Sequence, residues 1–343
     1  MTIYLVTFMI ASLLSFLDFF QQKRTHQIFS IFFAGFLILL VGLRYEVGAD
    51  WYPYVDIIFP VYKNINFFDI FSFSDPGYGL INYIAQKFNF SIAFVNIVCA
   101  SIFISGFYKF AKNFHSINGA FLIAIPYMIV VMSMNYTRQT TALGLVLFAL
   151  SYLINNRIFA SFLFIVLAST FHKSAFLFMP FALVYFRDSK FFIYLAILAI
   201  PFFAYSIAQL FFEALIDAYL DGAYGSSGSG IRLLINFLAG LTFFAIKSNF
   251  YFSRNEETIY NAIAALSIGI FVLSIFIPFT TFFDRIGLYF SIIQIIAFSN
   301  LMYLLRPRPV GFLILMPIYF FTLYFWLSNS AYAQSWIPYS FSL

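Results

Sequence analysis

Residues 310–327 read VGFLILMPIYFFTLYFWL, a stretch without a single charged side chain. At ~1.5 Å of rise per residue, a helix of that length spans most of the ~30 Å hydrocarbon core of a bilayer. Lipid demands helix, because backbone N–H and C=O groups find no partners there except each other. In both directions from this stretch, charges, glycines and prolines divide the chain into about a dozen apolar segments, ending near residues 20, 43, 108, 135, 154, 171, 186, 211, 246, 278, 304 and 327. The 343 residues are 63% hydrophobic and only 9% charged, whereas soluble domains are about 25% charged. The sequence therefore predicts an all-α fold, a polytopic integral membrane protein with about 12 transmembrane helices forming one domain over residues 1–343.

The first apolar stretch, Ile3 to Phe20, has no positive residue before it and no small-residue cleavage site after it, so it reads as a first span rather than a removable signal. The single cysteine, Cys99, lies in an apolar run and excludes a disulfide framework or a cysteine-based metal site. A net charge of +5 says nothing about nucleic acid, because positive residues gather on cytoplasmic loops whatever the function. Lys23, Arg24, Lys109, Lys112, Arg157, Arg187, Lys190, Lys247, Arg254, Arg306 and Arg308 fall on one side of the membrane, which is therefore the cytoplasmic one. Arg44, Lys63, Lys87, Arg138, Lys173, Arg232 and Arg285 fall on the outer side, together with most of the acids, including Glu46, Asp50, Asp56, Asp69, Asp75, Glu213, Asp217, Asp221 and Asp284. Cations that break the topology rule need a reason to be there.

Two outer segments, about 43–90 and 211–230, are long enough to hold structure. The first is aromatic and acidic, with Trp51, Tyr52, Tyr54, Phe67, Phe68 and Phe71, and is expected to lie on the membrane surface as short helices; the second carries the Gly/Ser tract 225–230, a mobile loop by composition.

Four clusters on the outer side hold residues able to do chemistry. Arg44 closes the second apolar segment beside Tyr45, Glu46, Asp50 and Tyr54, a setting in which a guanidinium binds phosphate and aromatic faces stack on sugars. The bland alternative is an interfacial aromatic belt with a snorkelling arginine. Arg138 stands among Asn135, Gln139 and Thr140; a charge in hydrocarbon costs ~2.5–3.5 kcal/mol, so it faces the protein interior or water, as a ligand contact or as half of an ion pair. His172 and Lys173 break an otherwise apolar stretch, and His172 can titrate near neutral pH. Asp284 and Arg285, with Tyr289, enter the eleventh segment; adjacent acid and base are often only a local salt bridge. Cations gathered at one face suit a pyrophosphate. No Walker loop, His-Glu-x-x-His, acidic metal cluster or Gly-x-Ser-x-Gly occurs. No cofactor, metal or nucleotide is expected.

Taken in order, Gly42-Leu43-Arg44-Tyr45 with Val47-Gly48-x-Asp50 and Tyr54, Arg138-Gln139, His172-Lys173-Ser174-Ala175, Asp284-Arg285 with Tyr289, and Trp336-x-Pro338-Tyr339 resemble the EpsG/Wzy family of bacterial exopolysaccharide and O-antigen polymerases. The likeness runs over nearly the whole chain, and the first motif is the most specific. It implies a multi-pass protein of the bacterial inner membrane with its active face periplasmic. It also implies partners: undecaprenyl-pyrophosphate-linked glycan as donor and acceptor, membrane lipid, and a chain-length regulator. By that resemblance Arg44, Arg138 and Arg285, supported by Lys173, stabilise the leaving pyrophosphate. His172, Asp50 or Asp284 is the base at the attacking hydroxyl. Tyr45, Tyr54, Gln139, Lys173, Asp284, Tyr289 and Tyr339 form the substrate-binding set. The early outer segment points to the EpsG-like branch. Competing readings are a flippase or transporter of lipid-linked oligosaccharide, a membrane O-acyltransferase centred on His172, and an assembly scaffold. A transporter places ionisable groups along a mid-membrane path, whereas these cations sit at outer helix ends.

Overall fold

The computed structural model describes residues 1–20, 23–72, 75–183, 228–277, 280–307 and 309–341, with the isolated positions 194, 204 and 208. The longer helices are α1 (Thr2–Leu17), α2 (Lys23–Gly42), α3 (Pro76–Lys87), α4 (Ile92–Ala111), α5 (Ile117–Asn135), α6 (Thr137–Ile154), α7 (Ile158–Phe171), α8 (Ser229–Ile246), α9 (Arg254–Phe276), α10 (Thr280–Phe290), α11 (Ile292–Leu304) and α12 (Val310–Asn329). A two-stranded antiparallel ribbon joins β1 (Arg44–Tyr45) to β2 (Ser340–Phe341), with Arg44 opposite Phe341.

Among the described residues, five helices (α4, α5, α8, α9 and α12) are long and apolar enough to cross a membrane, and the bent pair α10–α11, turned by 45°, makes a sixth if it is one span. α1, α7 and residues 27–42 of α2 are apolar but shorter. The dozen spans expected from sequence are therefore not all present as full-length crossings among these residues. The apolar segments ending near 186 and 211, the outer segment 211–230 up to residue 227, and Arg187, Lys190, Glu213, Asp217 and Asp221 lie outside the described residues. Elsewhere the helices end within a few residues of the breaks read from charge and proline.

Local chemistry explains the helix boundaries. Ser253 accepts a hydrogen bond from the Glu256 N–H while Glu256 reaches back to the Ser253 N–H, a reciprocal cap that starts α9. Ser116 caps α5 through the Gly119 N–H at 2.7 Å. Inside apolar helices, Ser12, Thr141 and Ser267 donate to the carbonyl four residues earlier, so each hydroxyl is satisfied without leaving its helix. Pro126 removes one ladder donor from α5, and residues Ile125–Met132 form wider π-helical turns around it. Phe32, Phe36, Leu39, Ile318, Phe321 and Phe325 remain exposed, as helix faces solvated by hydrocarbon should.

Two compact units are resolved. One contains residues 1–148, 167–172 and 302–343; the other contains residues 149–166 and 173–301. In the first, α2 packs on α4 and α1 packs on α5 and α12. α5 is the most enclosed candidate span, with 89% of its most apolar window buried against 28% for α12. α4 and α6 approach closely: a Cβ on Gly106 would lie 2.0 Å from the Gly144 carbonyl oxygen, and one on Gly144 2.4 Å from the Phe103 Cα. Only small residues permit backbones to meet this way. In the second unit, α8 packs against α9 and α10.

The segment between α2 and α4 breaks into short helical pieces as expected, Pro53–Ile58, Phe59–Val61 and Phe67–Ser72, before α3 begins at Pro76.

Candidate functional site

Arg44 lies two residues past the C-terminal end of α2, at the start of β1, and is 2% exposed. Its Nη1 donates to the Val41 carbonyl at 2.7 Å and its Nη2 to Thr137 Oγ1 at 2.8 Å, while Nε has no partner. The Trp51 ring lies 6.0 Å from the guanidinium carbon. Burial draws the Arg44 pKa below its usual value, although a guanidinium stays charged throughout the physiological range.

The loop after Arg44 shows why its motif has the residues it has. Glycine stands at 48 because its φ is +105° and a Cβ there would lie 2.1 Å from the Met134 carbonyl oxygen. Val47 is fully buried. The Gly48 N–H donates to the Ser335 carbonyl at 2.8 Å, and the Asp50 N–H donates to Asn135 Oδ1 at 2.9 Å. The C-terminal segment holds the same region from the other side: Trp336 Nε1 donates to the Val130 carbonyl at 2.9 Å, Tyr4 Oη to the Trp336 carbonyl at 2.9 Å, and Tyr339 Oη to the Leu40 carbonyl at 2.5 Å. Tyr339 is thus tied into the frame around Arg44, and Tyr45 is 45% exposed on the ribbon beside it.

Arg138 lies in the first turn of α6, just past the break at Tyr136 that separates α5 from α6. Its Nη1 donates to Asp75 Oδ2 at 2.6 Å, and its Nε reaches Tyr54 Oη at 3.4 Å. The Arg138 side chain is 35% exposed, against 9% for Asp75. Asp75 precedes the Pro76 that opens α3, so one short helix start positions the carboxylate. Tyr54 comes from the π-helical turn 53–58 and stacks edge-on against Tyr78, with centroids 5.7 Å apart. Burial raises both hydroxyls above the ordinary phenol range; at neutral pH they are donors rather than bases. α7 ends against α3 close by, since a Cβ on Gly77 would lie 2.4 Å from Thr170 Oγ1. His172, half-buried, follows that last turn directly. Gln139 is buried beside Arg138 in sequence.

The second unit holds its own polar cluster. Asp284 is gripped in fork fashion by Arg232, at 2.8 Å from Nε and 2.7 Å from Nη2. The partner that holds it this way thus comes from α8, 52 residues away, where the sequence had suggested only its neighbour Arg285. Asn236 donates to the Gly287 carbonyl at 2.9 Å and accepts from Gln294 at 2.8 Å. Ser174 donates to Tyr289 Oη at 3.0 Å, and Tyr289 is fully buried. Lys173 and Arg285 are half-buried.

Sequence reasoning named Arg44, Arg138, Tyr54, Asp50, Gln139 and Tyr339, and all six lie in the first unit. Asp75 appeared only among the outer acids, and Arg232 only among the outer cations. Their shared signal is a charge in an apolar chain, read pairwise: Arg138 and Arg232 are each held by an acid far away in sequence. Trp51 and Thr137, which touch Arg44, carried no such signal.

A family model, that of the EpsG family, matches residues 27–341. The chain belongs to the EpsG family. The match takes in Arg44, Asp75, Arg138, the Arg232–Asp284 pair and the C-terminal segment that frames Arg44. It thus covers the polar clusters of both units of this EpsG-family chain. No curated protein and no solved structure matches the chain. Among the described residues no group of His, Cys, Asp or Glu is arranged to hold a metal ion.

Proposed function

We propose that this EpsG-family chain polymerises a surface polysaccharide by joining lipid-linked oligosaccharide repeat units at the outer face of the bacterial cytoplasmic membrane. The donor is a glycan on undecaprenyl pyrophosphate and the acceptor is the next lipid-linked unit. An acceptor hydroxyl attacks the anomeric carbon of the donor, the carbon–oxygen bond to pyrophosphate breaks, its electron pair leaves with the phosphate, and the hydroxyl proton passes to a base. Attack from the face opposite the pyrophosphate inverts the anomeric centre.

The observation that carries this reading is Arg138. Asp75 takes Nη1, Tyr54 Oη accepts from Nε, and more than a third of the side chain stays open. A guanidinium oriented in advance and still able to donate suits charge that develops on a leaving phosphate. The N-terminal turn of α6 adds partial positive charge at the same place. Tyr54, kept protonated, donates beside it. Arg44 is enclosed behind Thr137, the residue before Arg138, and in this reading positions that turn. Asp50 and His172 are the candidate bases in the first unit; Asp284 is a weaker one, since both its oxygens accept from Arg232. Lys173 and Arg285 are further candidate cations, with Gln139, Tyr45, Tyr289 and Tyr339 on the substrate.

A deletion strain tests the proposal. Surface glycolipid reduced to single repeat units, and restored to a ladder by the wild-type gene, supports a polymerase. Complete loss of repeat units points to flipping or ligation, and an unchanged ladder with altered mass per unit points to acyl transfer.

A further inference from the structure

Beneath Arg44 lies a small cavity walled by α2, α4, the end of α5 and α6, with room for about one water-sized particle. Two buried donors on this cavity lack acceptors: Arg44 Nε and Asn96 Nδ2, on residues 2% and 3% exposed. They come from separate elements, β1 and α4. The hydroxyls of Ser133, Thr140 and Thr141 also line the space, but each donates its hydrogen to a backbone carbonyl. Thr137 Oγ1 accepts from Arg44 and keeps its own hydrogen for an occupant.

Charge narrows the occupant further. Among the described residues, Arg44 contacts a carbonyl, a hydroxyl and an indole face, and no carboxylate. The C-terminal carbonyls of α2 and the Trp51 ring offset part of a unit charge, not all of it. An uncompensated buried charge is strongly unfavourable, and a neutral water leaves it uncompensated. A phosphate or carboxylate is too large for the space. We propose that this cavity binds one small monovalent anion of the chloride class, held by Arg44 Nε, Asn96 Nδ2 and Thr137 Oγ1. It is a structural counter-ion site, independent of the glycan chemistry proposed at Arg138.

The test is the thermal midpoint of the full chain in lipid nanodiscs, with sodium chloride replacing sodium gluconate at constant ionic strength. Chloride and bromide should each raise the midpoint saturably, by on the order of 2 °C, whereas gluconate and sulfate should not. Asn96→Ala should abolish that rise while still folding, and it carries the test if Arg44→Gln does not accumulate. Equal midpoints in chloride and gluconate, or an undiminished chloride response in Asn96→Ala, would overturn the anion site and assign the cavity to water. Neither outcome touches the polymer assay.

Discussion

Arg138 Nη1 and Asp75 Oδ2 meet at 2.6 Å across 63 residues of sequence, the carboxylate nearly enclosed and the guanidinium partly open. This asymmetry makes Asp75 the holder and Arg138 the group held out to a ligand. Arg138→Ala should abolish polymer without preventing membrane insertion. Arg138→Lys keeps the charge but loses the fork, and should retain only a trace. Asp75→Asn removes a charge-assisted bond worth ~1.5–3 kcal/mol and should lower polymer yield by about ten- to a hundredfold. Glycolipid gels normalised to protein in the membrane read all three.

That pair also marks the limit of what the sequence disclosed. The apolar segments were legible because hydrocarbon demands helix, and among the described residues the breaks between them fall within a few residues of helix ends. Arg44 and Arg138 were legible because a cation at the end of an apolar segment, on the side that the loop charges assign as outer, breaks a charge rule. Asp75 and Arg232 were not singled out, since an ion pair spanning 63 or 52 residues leaves no local spacing to read. The Val-Gly-x-Asp motif was visible, but its reason was not: Gly48 yields space to the Met134 carbonyl, and the Asp50 backbone N–H binds Asn135.

The crossing of α4 and α6 leaves no space for a side chain at its centre. Gly106→Val should displace the Gly144 backbone, and even Gly144→Ala would press on the Phe103 Cα. Overpacking of this kind costs ~1–3 kcal/mol or more. Fluorescence-detected size exclusion should show a shrunken or absent monodisperse peak for Gly106→Val and a smaller loss for Gly144→Ala.

The C-terminal segment fixes the frame around Arg44. Trp336→Phe keeps the ring but leaves the Val130 carbonyl without its donor, a loss of ~1–3 kcal/mol. It should lower the thermal midpoint and reduce polymer modestly. Removal of residues 330–343 deletes β2, Trp336 and Tyr339 together and should abolish polymer, as scored on the same gels.

The fork between Arg232 and Asp284 is structural support for α8 against α10. Arg232→Ala removes the guanidinium fork from a carboxylate 7% exposed, and breaking a buried pair costs ~3–5 kcal/mol. The exchange Arg232→Asp with Asp284→Arg should recover part of the folded yield that either single change loses. Limited proteolysis in nanodiscs distinguishes the recovered from the unrecovered chains.

The purified chain in nanodiscs, given a polyprenyl-pyrophosphate-linked repeat unit and nothing else, puts the proposed reaction to the test in one tube. The account requires wild-type chain to build a ladder of linked units and release polyprenyl pyrophosphate in step with each linkage, and Arg138→Ala to do neither while eluting as a folded protein. A full ladder from Arg138→Ala, or no linkage by the wild-type chain on its cognate repeat unit, would contradict it.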